Sequence, residues 1–240
     1  MKSVLEAHIE KGDFHHGYLL VGDFEISRNM ALEAAGVILQ GPSFHSARTV
    51  LAGKLQAHPD FSYQKFELFG IEESRILTEK ASKRPFVSDK KVFIIEIFSF
   101  SLESANALLK TLEEPYPGTH FFVLVPSLEN VIPTLASRLT VIDNSKIKKE
   151  LDKEKIKFYG NFLSDLPNKR LETIKKFTEN RQDAIEFLSE LEIIIFKNLT
   201  ETKVSATLEE IQKCKNFLFS QGASAKMVLE HIALALPTMI

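Results

Sequence analysis

Residues 22–29 have the position of a phosphate-binding loop, because they join a short apolar strand to a helix. Free backbone N–H groups at a helix start, together with the helix dipole, favour a bound anion. A functional loop of this kind reads Gly, four residues, Gly-Lys-Ser/Thr; its lysine neutralises the terminal phosphates and its hydroxyl binds magnesium. Only Gly22 fits this pattern, since Ser27, Arg28 and Asn29 stand at the other three positions. The segment therefore predicts a degenerate nucleotide site.

The charges in the same segment also argue against nucleotide turnover. Asp23 and Glu25 place negative charge where a triphosphate would lie. Arg28 could still hold a phosphate, but its planar guanidinium does not replace the compact ammonium group of lysine. We therefore do not expect the chain to hydrolyse ATP by itself.

The elements around this segment alternate between strand and helix patterns up to about residue 145. Apolar or alternating runs predict strands, and spacings of three and four predict helices. Strands that are apolar throughout favour a mostly parallel sheet covered on both faces. The chain after residue 145 becomes lysine-rich and then helical in pattern. The predicted strands are 18–21, 61–65, 92–95 (closed by Glu96), 121–125 and 139–142, and the predicted helices are 4–9, 29–39, 43–56, 71–82, 102–112 and one from Pro133 through Leu139.

The bulk composition is that of an ordinary globular protein, with 44% hydrophobic and 26% charged residues. Its formal charge of -2 provides no general attraction to nucleic acid, so any DNA contact must come from a few placed groups. Cys214 is the only cysteine, which excludes an internal disulfide and a four-cysteine zinc site. It lies in a helical pattern and is predicted to be a core or half-buried thiol. With no apolar signal core and no run approaching a membrane span of ~20 residues, a cytoplasmic protein is expected.

Three segments, in this order of elements, resemble the ATPase-type domain of clamp-loader subunits, the AAA+ proteins that load sliding clamps onto DNA. They are 106–115 (Asn-Ala-Leu-Leu-Lys-Thr-Leu-Glu-Glu-Pro), 132–138 (Ile-Pro-Thr-Leu-Ala-Ser-Arg), and His58-Pro59-Asp60 ahead of Gly70-Ile71. The resemblance covers residues 1 to about 142. It implies an α/β fold: an AAA+ P-loop-type parallel sheet domain over 1–145, with helices on both faces. An all-helical region over 146–240 would follow, made of a shortened lid and collar-like helices.

The resemblance gives roles to Glu96 and to Ser137-Arg138. In active AAA+ proteins the strand at this position ends in Asp-Glu, which organises magnesium and polarises water. Glu96 is followed by Ile97 here, and we expect it to pair with a nearby cation. Ser137-Arg138 matches a Ser-Arg-Cys triplet through which one subunit presents an arginine to ATP bound in the next, with Leu139 in place of the cysteine. A permanent, forked cation suits that role. The alternative for Arg138 is an ordinary salt bridge at a helix end.

Two further expectations follow from the resemblance. The helix start at Gly70-Ile71 matches a family helix that faces duplex phosphates, so Arg75 could contact DNA without reading sequence. Glu72 and Glu73 oppose this, and a plain surface helix is the alternative. The cysteines of the zinc module that the family carries ahead of His58 are absent, so we expect no zinc and no other metal.

The function implied is that of a non-catalytic clamp-loader subunit, which supplies an arginine finger in trans and helps load a sliding clamp onto primed DNA. Its implied partners are the clamp-loader ATPase subunits, the delta subunit, the sliding clamp and primer-template DNA. ATP would be bound by neighbouring subunits, and the chain would need no cofactor of its own. Two alternatives stay open, namely an AAA+ ATPase with an aberrant nucleotide site and a degenerate structural relative that only binds partners.

Overall fold

The computed structural model describes residues 4–41, 55–145, 151–198, 201–219 and 222–236, without the side chains of residues 197–205. The predicted helix over 43–56 lies outside the described residues except for its last two positions. The chain divides into two compact units, Met1–Ile147 and Lys148–Ile240.

The first unit alternates helices and strands, as predicted. Its elements are α1 (Val4–Lys11), β1 (Gly17–Val21), α2 (Phe24–Gln40), β2 (Phe61–Phe69), α3 (Ile71–Ser82), β3 (Lys91–Phe100), α4 (Leu102–Glu113), β4 (Thr119–Val125), a 3-10 turn (Leu128–Asn130), α5 (Pro133–Ala136) and β5 (Thr140–Asp143).

The five strands form one sheet in the order β2-β3-β4-β1-β5. All four strand pairings are parallel, an arrangement that requires crossover connections such as the helices between these strands. Both β2 and β3 extend several residues past their predicted ends, to Phe69 and Phe100. The predicted parallel sheet is confirmed.

Each face of the sheet is covered by its own hydrophobic core. On β3, Val92 and Ile94 pack in a core that contains Leu5 of α1 and Ala31 of α2. The alternate residues of the same strand, Phe93, Ile95 and Ile97, pack in a second core with side chains of α3 and α4. Burial on both faces explains why these strands are apolar throughout rather than alternating. The expected helices on both faces are therefore confirmed.

In the part of the second unit that the structure describes, every regular element is helical. The helices are α6 (Lys153–Ser164), α7 (Pro167–Ile174), a 3-10 turn (Lys175–Phe177), α8 (Arg181–Asn198), α9 (Glu201–Leu218) and α10 (Ala225–Ala235). Their inner side chains form one core of their own. Among the helices that the structure describes, none combines the length and the apolar composition needed to cross a lipid bilayer.

A fully buried arginine ties the helical unit together. Arg170 donates to the carbonyls of Phe162 and Leu163 at the end of α6, at 2.9 and 2.6 Å, and to that of Leu236 at 2.6 Å. The last carbonyls of a helix have no partner within the helix. The guanidinium therefore satisfies the ends of α6 and α10 at once, which holds the two chain segments together.

Candidate functional site

The turn between β1 and α2 is closed by the chain segment that follows β5. Gly22 has a φ of 120°, and a Cβ there would lie 2.7 Å from the backbone nitrogen of Ser145. Asn144 donates its backbone N–H to the carbonyl of Val21 at 2.7 Å. Only glycine permits both this backbone conformation and this close approach. Gly22 is thus explained by packing, and its presence does not require a phosphate.

The helix after this turn begins five residues earlier than predicted, at Phe24 rather than Asn29. The reason is Asp23, which is the N-cap residue and accepts the backbone N–H of Ile26 at 3.0 Å. An aspartate is among the best N-caps because its carboxylate satisfies an N–H group that the helix leaves unpaired. Only Gly22 and Asp23 separate β1 from α2, so Ser27, Arg28 and Asn29 lie within the helix. A carboxylate of the chain itself thus occupies the helix start where a phosphate would bind.

Ser27 and Asn29 differ in their exposure on α2. The hydroxyl of Ser27 is fully buried and accepts a hydrogen bond from Nδ2 of Asn144 at 3.3 Å. Asn29 is half-buried on α2. The serine that replaces the second glycine of the loop pattern thus helps attach α2 to the segment after β5.

The side chain of Arg28 extends from α2 to Glu96 of β3. Its Nε and Nη2 donate to the two carboxylate oxygens of Glu96 at 2.5 and 3.0 Å. Tyr63 also donates its hydroxyl to this carboxylate at 2.8 Å, and Nζ of Lys65 lies 3.5 Å away. Glu96 is almost fully buried, whereas the Arg28 side chain is 26% exposed. The position of the P-loop lysine and the position of the metal-organising acid are therefore bonded to each other.

The sequence pattern predicts that Glu96 ends its strand, but the strand continues past this residue. It lies inside β3, in register with Lys65 of β2 and Leu124 of β4. The strand can continue through a buried carboxylate because the cations and the tyrosine compensate its desolvation. The expectation that Glu96 pairs with a nearby cation describes this arrangement, although its expected place at the end of the strand is wrong.

The electrostatics keep this cluster ionised. Burial tends to raise the pKa of Glu96, but the hydrogen bonds and charge of Arg28 outweigh it, so the pKa is lowered. Burial likewise tends to lower the pKa of Arg28, and the bonds and charge of Glu96 raise it overall. Burial and then the charge of Glu96 raise the pKa of Tyr63. The carboxylate and the guanidinium therefore neutralise each other at pH 7, and a magnesium ion or phosphate would have to displace one of them.

Arg138 lies at the opposite edge of the sheet. The short helix α5 ends at Ala136, so the prediction of a helix that includes Ser137, Arg138 and Leu139 is wrong for those three residues. Ser137 is the C-cap, and its hydroxyl donates to the carbonyl of Thr134 at 3.0 Å. Arg138 precedes β5, and its Nη1 donates to the same carbonyl at 2.5 Å. Because α5 has only four residues, it is a single helical turn, and residues 137–139 connect it to β5.

An ion pair holds the guanidinium of Arg138. Its Nε donates to Oε1 of Glu113 at 2.7 Å, and its Nη2 donates to the same oxygen. Glu113 is the last residue of α4 and belongs to the segment 106–115. The Arg138 side chain remains 29% exposed and that of Glu113 47% exposed. The alternative of a salt bridge beside a helix end thus matches the geometry of the single chain.

A cavity of about 380 Å³ lies beside this ion pair. Its lining is His15, His16, Leu112, Glu113, Ser137, Arg138, Leu139 and Thr140. Burial, and then the charge of His15, lower the pKa of His16, so that ring is neutral at pH 7. Its Nε2 is buried without a hydrogen-bond partner among the described residues. Because the neutral ring of His16 adds no charge, the guanidinium of Arg138 provides positive charge beside this cavity, which is large enough for a side chain.

Arg138 and the Arg28–Glu96 pair are separated by the length of a strand. Gly22 follows the carboxyl end of β1, whereas His16 precedes its amino end and lines the cavity beside Arg138. Five residues at ~3.3 Å each place these two edges about 16 Å apart. Arg138 is consequently too far away to act on a ligand at this chain's own residues 22–29.

Arg75 is an exposed side chain on the first turns of α3. Its Nη1 donates to Glu72 at 2.7 Å, and both side chains are 68% exposed. Glu73 accepts the backbone N–H of Gly70 at 3.0 Å. The helix start is therefore surrounded by the chain's own carboxylates, which matches the alternative of a plain surface helix and leaves the proposed DNA contact a prediction.

Asp60 has a role that the sequence pattern did not reveal. Its carboxylate is buried and accepts backbone N–H groups from Phe86, from Val87 at 2.8 Å and from Ser88 at 3.1 Å. These bonds fix the loop that leads into β3. The side chains at its tip, Phe86 and Val87, are 87% and 73% exposed. The available signal in the sequence is an aspartate directly before a strand, in the segment His58-Pro59-Asp60.

Comparisons with known proteins identify the family. A sequence profile described as "DNA polymerase III, delta subunit" matches residues 1–148. Over 160 residues the chain is 28% identical to DNA polymerase III subunit delta' of Haemophilus influenzae. This alignment covers 62% of this chain and 48% of that protein. The chain is 35% identical over 86 residues to subunit delta' of Escherichia coli, covering 34% of this chain and 26% of that protein. The chain thus spans about half of the first relative's length and less of the second.

A solved structure supports the fold. The gamma subunit-related protein of DNA polymerase III from Thermotoga maritima aligns with a TM-score of 0.54 over 95% of this chain and 97% of that one, at 16% identity. At this identity the likeness concerns the fold only, and it agrees with the α/β architecture of the AAA+ type. The chain belongs to the DNA polymerase III delta subunit family and is a delta'-like relative of clamp-loader subunits.

Proposed function

We propose that this chain is a non-catalytic clamp-loader subunit that supplies Arg138 in trans to ATP bound by a neighbouring subunit. In this way it helps load the sliding clamp onto primed DNA during replication in the cytoplasm. The observation that carries the proposal is the contrast between the two edges of the sheet. The Arg28–Glu96 pair is closed on itself at one edge, whereas Arg138 is partly exposed beside a cavity at the other.

The closed edge supports the non-catalytic part of the proposal. Asp23 already accepts an N–H group at the helix start, and the Asn144–Ser145 backbone packs directly over Gly22. A triphosphate would need both positions, and its magnesium ion would need Glu96 to leave Arg28. Removing one partner of a buried ion pair costs about 3–5 kcal/mol. This cost opposes nucleotide binding by the chain itself, so ATP is assigned to neighbouring subunits.

The exposed edge supports the arginine-finger part. Ion pairs between exposed groups contribute about 0–1 kcal/mol, so Arg138 can leave Glu113 at little cost. The developing charge on a transferring phosphoryl group is a stronger partner for a forked cation than a single exposed carboxylate. Ser137 completes the arrangement because its hydroxyl caps the turn from which Arg138 projects. Glu113 thus keeps the guanidinium extended until a neighbour's nucleotide arrives.

The partners of this function are the clamp-loader ATPase subunits, the delta subunit, the sliding clamp and primer-template DNA. A DNA contact through Arg75 is a separate prediction, since Glu72 already pairs with this side chain. Replacing Arg75 with alanine should weaken DNA binding by the assembled complex and reduce its salt dependence by about one phosphate contact. Unchanged binding in a salt titration would leave Arg75 as an ordinary surface residue.

Arg138→Ala tests the proposal in the reconstituted clamp loader. The variant should assemble as well as the wild type, because Arg138 is partly exposed and loses only its ion pair with Glu113 and its hydrogen bond to the carbonyl of Thr134. The ATPase rate of the complex should fall by at least about tenfold, as finger arginines contribute ~10³–10⁵ in related phosphoryl transfers. Arg138→Lys is the matched control, since it keeps the charge but loses the fork, and it should recover only part of the rate.

A full ATPase rate in the Arg138→Ala complex would overturn the finger role. In that case a subunit that only binds partners becomes the preferred function. Loss of assembly would show instead that Arg138 belongs to the interface, so size-exclusion chromatography must accompany the rate measurement.

A further inference from the structure

Three metal-ligand side chains of different types converge between α9 and α10 in the helical unit. They are Glu210 and Cys214 of α9 and His231 of α10. A carboxylate oxygen, the Sγ atom and a ring nitrogen of these residues lie within 4.8 Å of one another. Nε2 of His231 and Oε1 of Glu210 are already hydrogen-bonded at 2.7 Å. The function proposed above uses none of these three residues.

The two helices position the three donors. Glu210 and Cys214 are four residues apart on α9, so they lie on the same face of that helix one turn apart. Cys214 is 7% exposed and belongs to the core through which α9 and α10 pack. On α10, His231 lies between Val228 and Ile232 in the sequence, and these two buried residues belong to that same core. The backbones that carry the donors are therefore fixed by packing.

We propose that Glu210, Cys214 and His231 bind a divalent metal ion of the zinc type. Thiolate, imidazole and carboxylate are the ligands that zinc takes in proteins, at ~2.0–2.3 Å from the metal, so tetrahedral ligands lie about 3.5 Å from one another. Small side-chain rotations close the trio to that spacing. The thiolate and the carboxylate together balance the charge of the ion. Because His231 and Glu210 are partly exposed, water completes the coordination.

The competing arrangement is an exposed histidine–glutamate ion pair above a cysteine that only fills the core. Nζ of Lys213 lies 3.9 Å from the other carboxylate oxygen of Glu210 and competes weakly with a metal ion. The expectation that the chain holds no metal came from the cysteines missing ahead of His58 and from the helical pattern around Cys214. The spacing around Cys214 gives no sign of a ligand on a second helix, because His231 lies 17 positions after the cysteine.

Titration of the metal-free full-length chain with Co²⁺ tests the proposal. Cobalt takes the place of zinc, and its thiolate complexes show a charge-transfer absorption that other ligands do not produce. Since Cys214 is the only cysteine, that band and the rate of thiol alkylation both report on this single site. We expect the band to saturate with one Co²⁺ per chain and to disappear when Zn²⁺ is added. Bound Zn²⁺ should slow the alkylation of Cys214.

Variants assign the ligands. His231→Gln and Glu210→Gln change exposed or half-buried side chains, so both should fold, and each should weaken Co²⁺ binding by roughly tenfold or more. Cys214→Ala should remove the band. Glu209→Gln is the matched control, because it removes a neighbouring carboxylate of α9 outside the trio, and it should bind like the wild type. Absence of the band in the folded wild type, or equal affinity in His231→Gln and the wild type, would overturn the metal site.

Discussion

Arg28 and Glu96 show how two oppositely charged residues of distant segments can stabilise each other. An arginine at the lysine position would be a poor phosphate ligand, and a lone buried glutamate would be costly to desolvate. Paired, they form two hydrogen bonds, and Tyr63 adds a third to the same carboxylate. The pair thus makes both charged residues part of the packed interior of the first unit. Arg138 differs, because its partner Glu113 is exposed and can be exchanged.

Removal of either partner of the Arg28–Glu96 pair should destabilise the first unit. We expect Glu96→Leu to lower the free energy of unfolding by about 3–5 kcal/mol, because it leaves Arg28 and Tyr63 without their acceptor. The double variant Arg28→Met/Glu96→Leu should recover much of this loss, since no unpaired charge remains. Urea unfolding of Arg28→Met, Glu96→Leu and the double variant gives the coupling energy. Additive effects would mean that the pair contributes nothing as a pair.

The loop between α3 and β3 shows how one carboxylate can organise an element. Asp60 accepts three backbone N–H groups of this loop. At its far end, Nζ of Lys91 is buried and donates to the carbonyl of Lys80 at 2.8 Å and to that of Lys83. The loop therefore leaves α3 and enters β3 along a fixed path, although its apolar tip is exposed. Such a path keeps β3 in register with β2.

Asp60→Asn should reveal a pH-dependent contribution of this loop. Burial tends to raise the pKa of Asp60, but the N–H groups of Phe86, Val87 and Ser88 outweigh it and lower the pKa. The charged form is thus the one that stabilises the fold. Its contribution is complete above the ordinary aspartate pKa of ~3.9 and is lost as the pH falls through the lowered value.

We expect Asp60→Asn to cost about 1–3 kcal/mol at pH 7, the range for hydrogen bonds to a charged group. The difference from the wild type should shrink steadily below pH 4, as measured by urea unfolding over a pH series. Asp89→Asn, an exposed carboxylate of the same loop, is the matched control and should have little effect at any pH. A difference that persists unchanged in acid would contradict the assignment to the ionised form.

The first unit as a whole is a parallel sheet in which contacts within the chain occupy the turn between β1 and α2. Parallel strands with one direction of connection place all carboxyl ends on one edge and all amino ends on the other. Gly22 and Arg138 therefore stay on opposite edges whatever happens to the residues in between. A domain of this kind can lose its own site and still present a side chain to a neighbouring subunit.

Mg-ATP should not stabilise the isolated chain. A ligand at 100 times its Kd adds ~2.7 kcal/mol to the folded state, which raises the melting temperature of a domain of this size by several degrees. Scanning calorimetry with and without Mg-ATP measures this shift, and a protein with an intact Gly-x4-Gly-Lys-Ser/Thr loop serves as the positive control. A clear shift accompanied by turnover would favour the alternative of an ATPase with an aberrant site.

Local patterning was sufficient to predict most elements of the fold. The bounds of α3 were predicted correctly, as 71–82, because Gly70 precedes the helix and Pro85 prevents its continuation. The parallel sheet followed from strands without polar alternation. The start of α2 was predicted wrongly, because alignment with a phosphate-binding loop concealed Asp23 as an N-cap. The competing signal was present in the sequence, and the capping preference of aspartate was the stronger one.

The arrangement of the sites needed the tertiary structure. Glu96 reads as the end of an apolar run, since nothing near it in sequence could compensate a buried charge. Its partner Arg28 is 68 positions away and approaches only when α2 packs on the sheet. Glu210, Cys214 and His231 likewise meet only when α9 packs against α10. The resemblance of residues 132–138 to the clamp-loader segment is what identified Arg138 as a group worth testing. Its ion pair with Glu113 and its place about one strand length from Gly22 depend on the packing of distant segments, which no local pattern encodes.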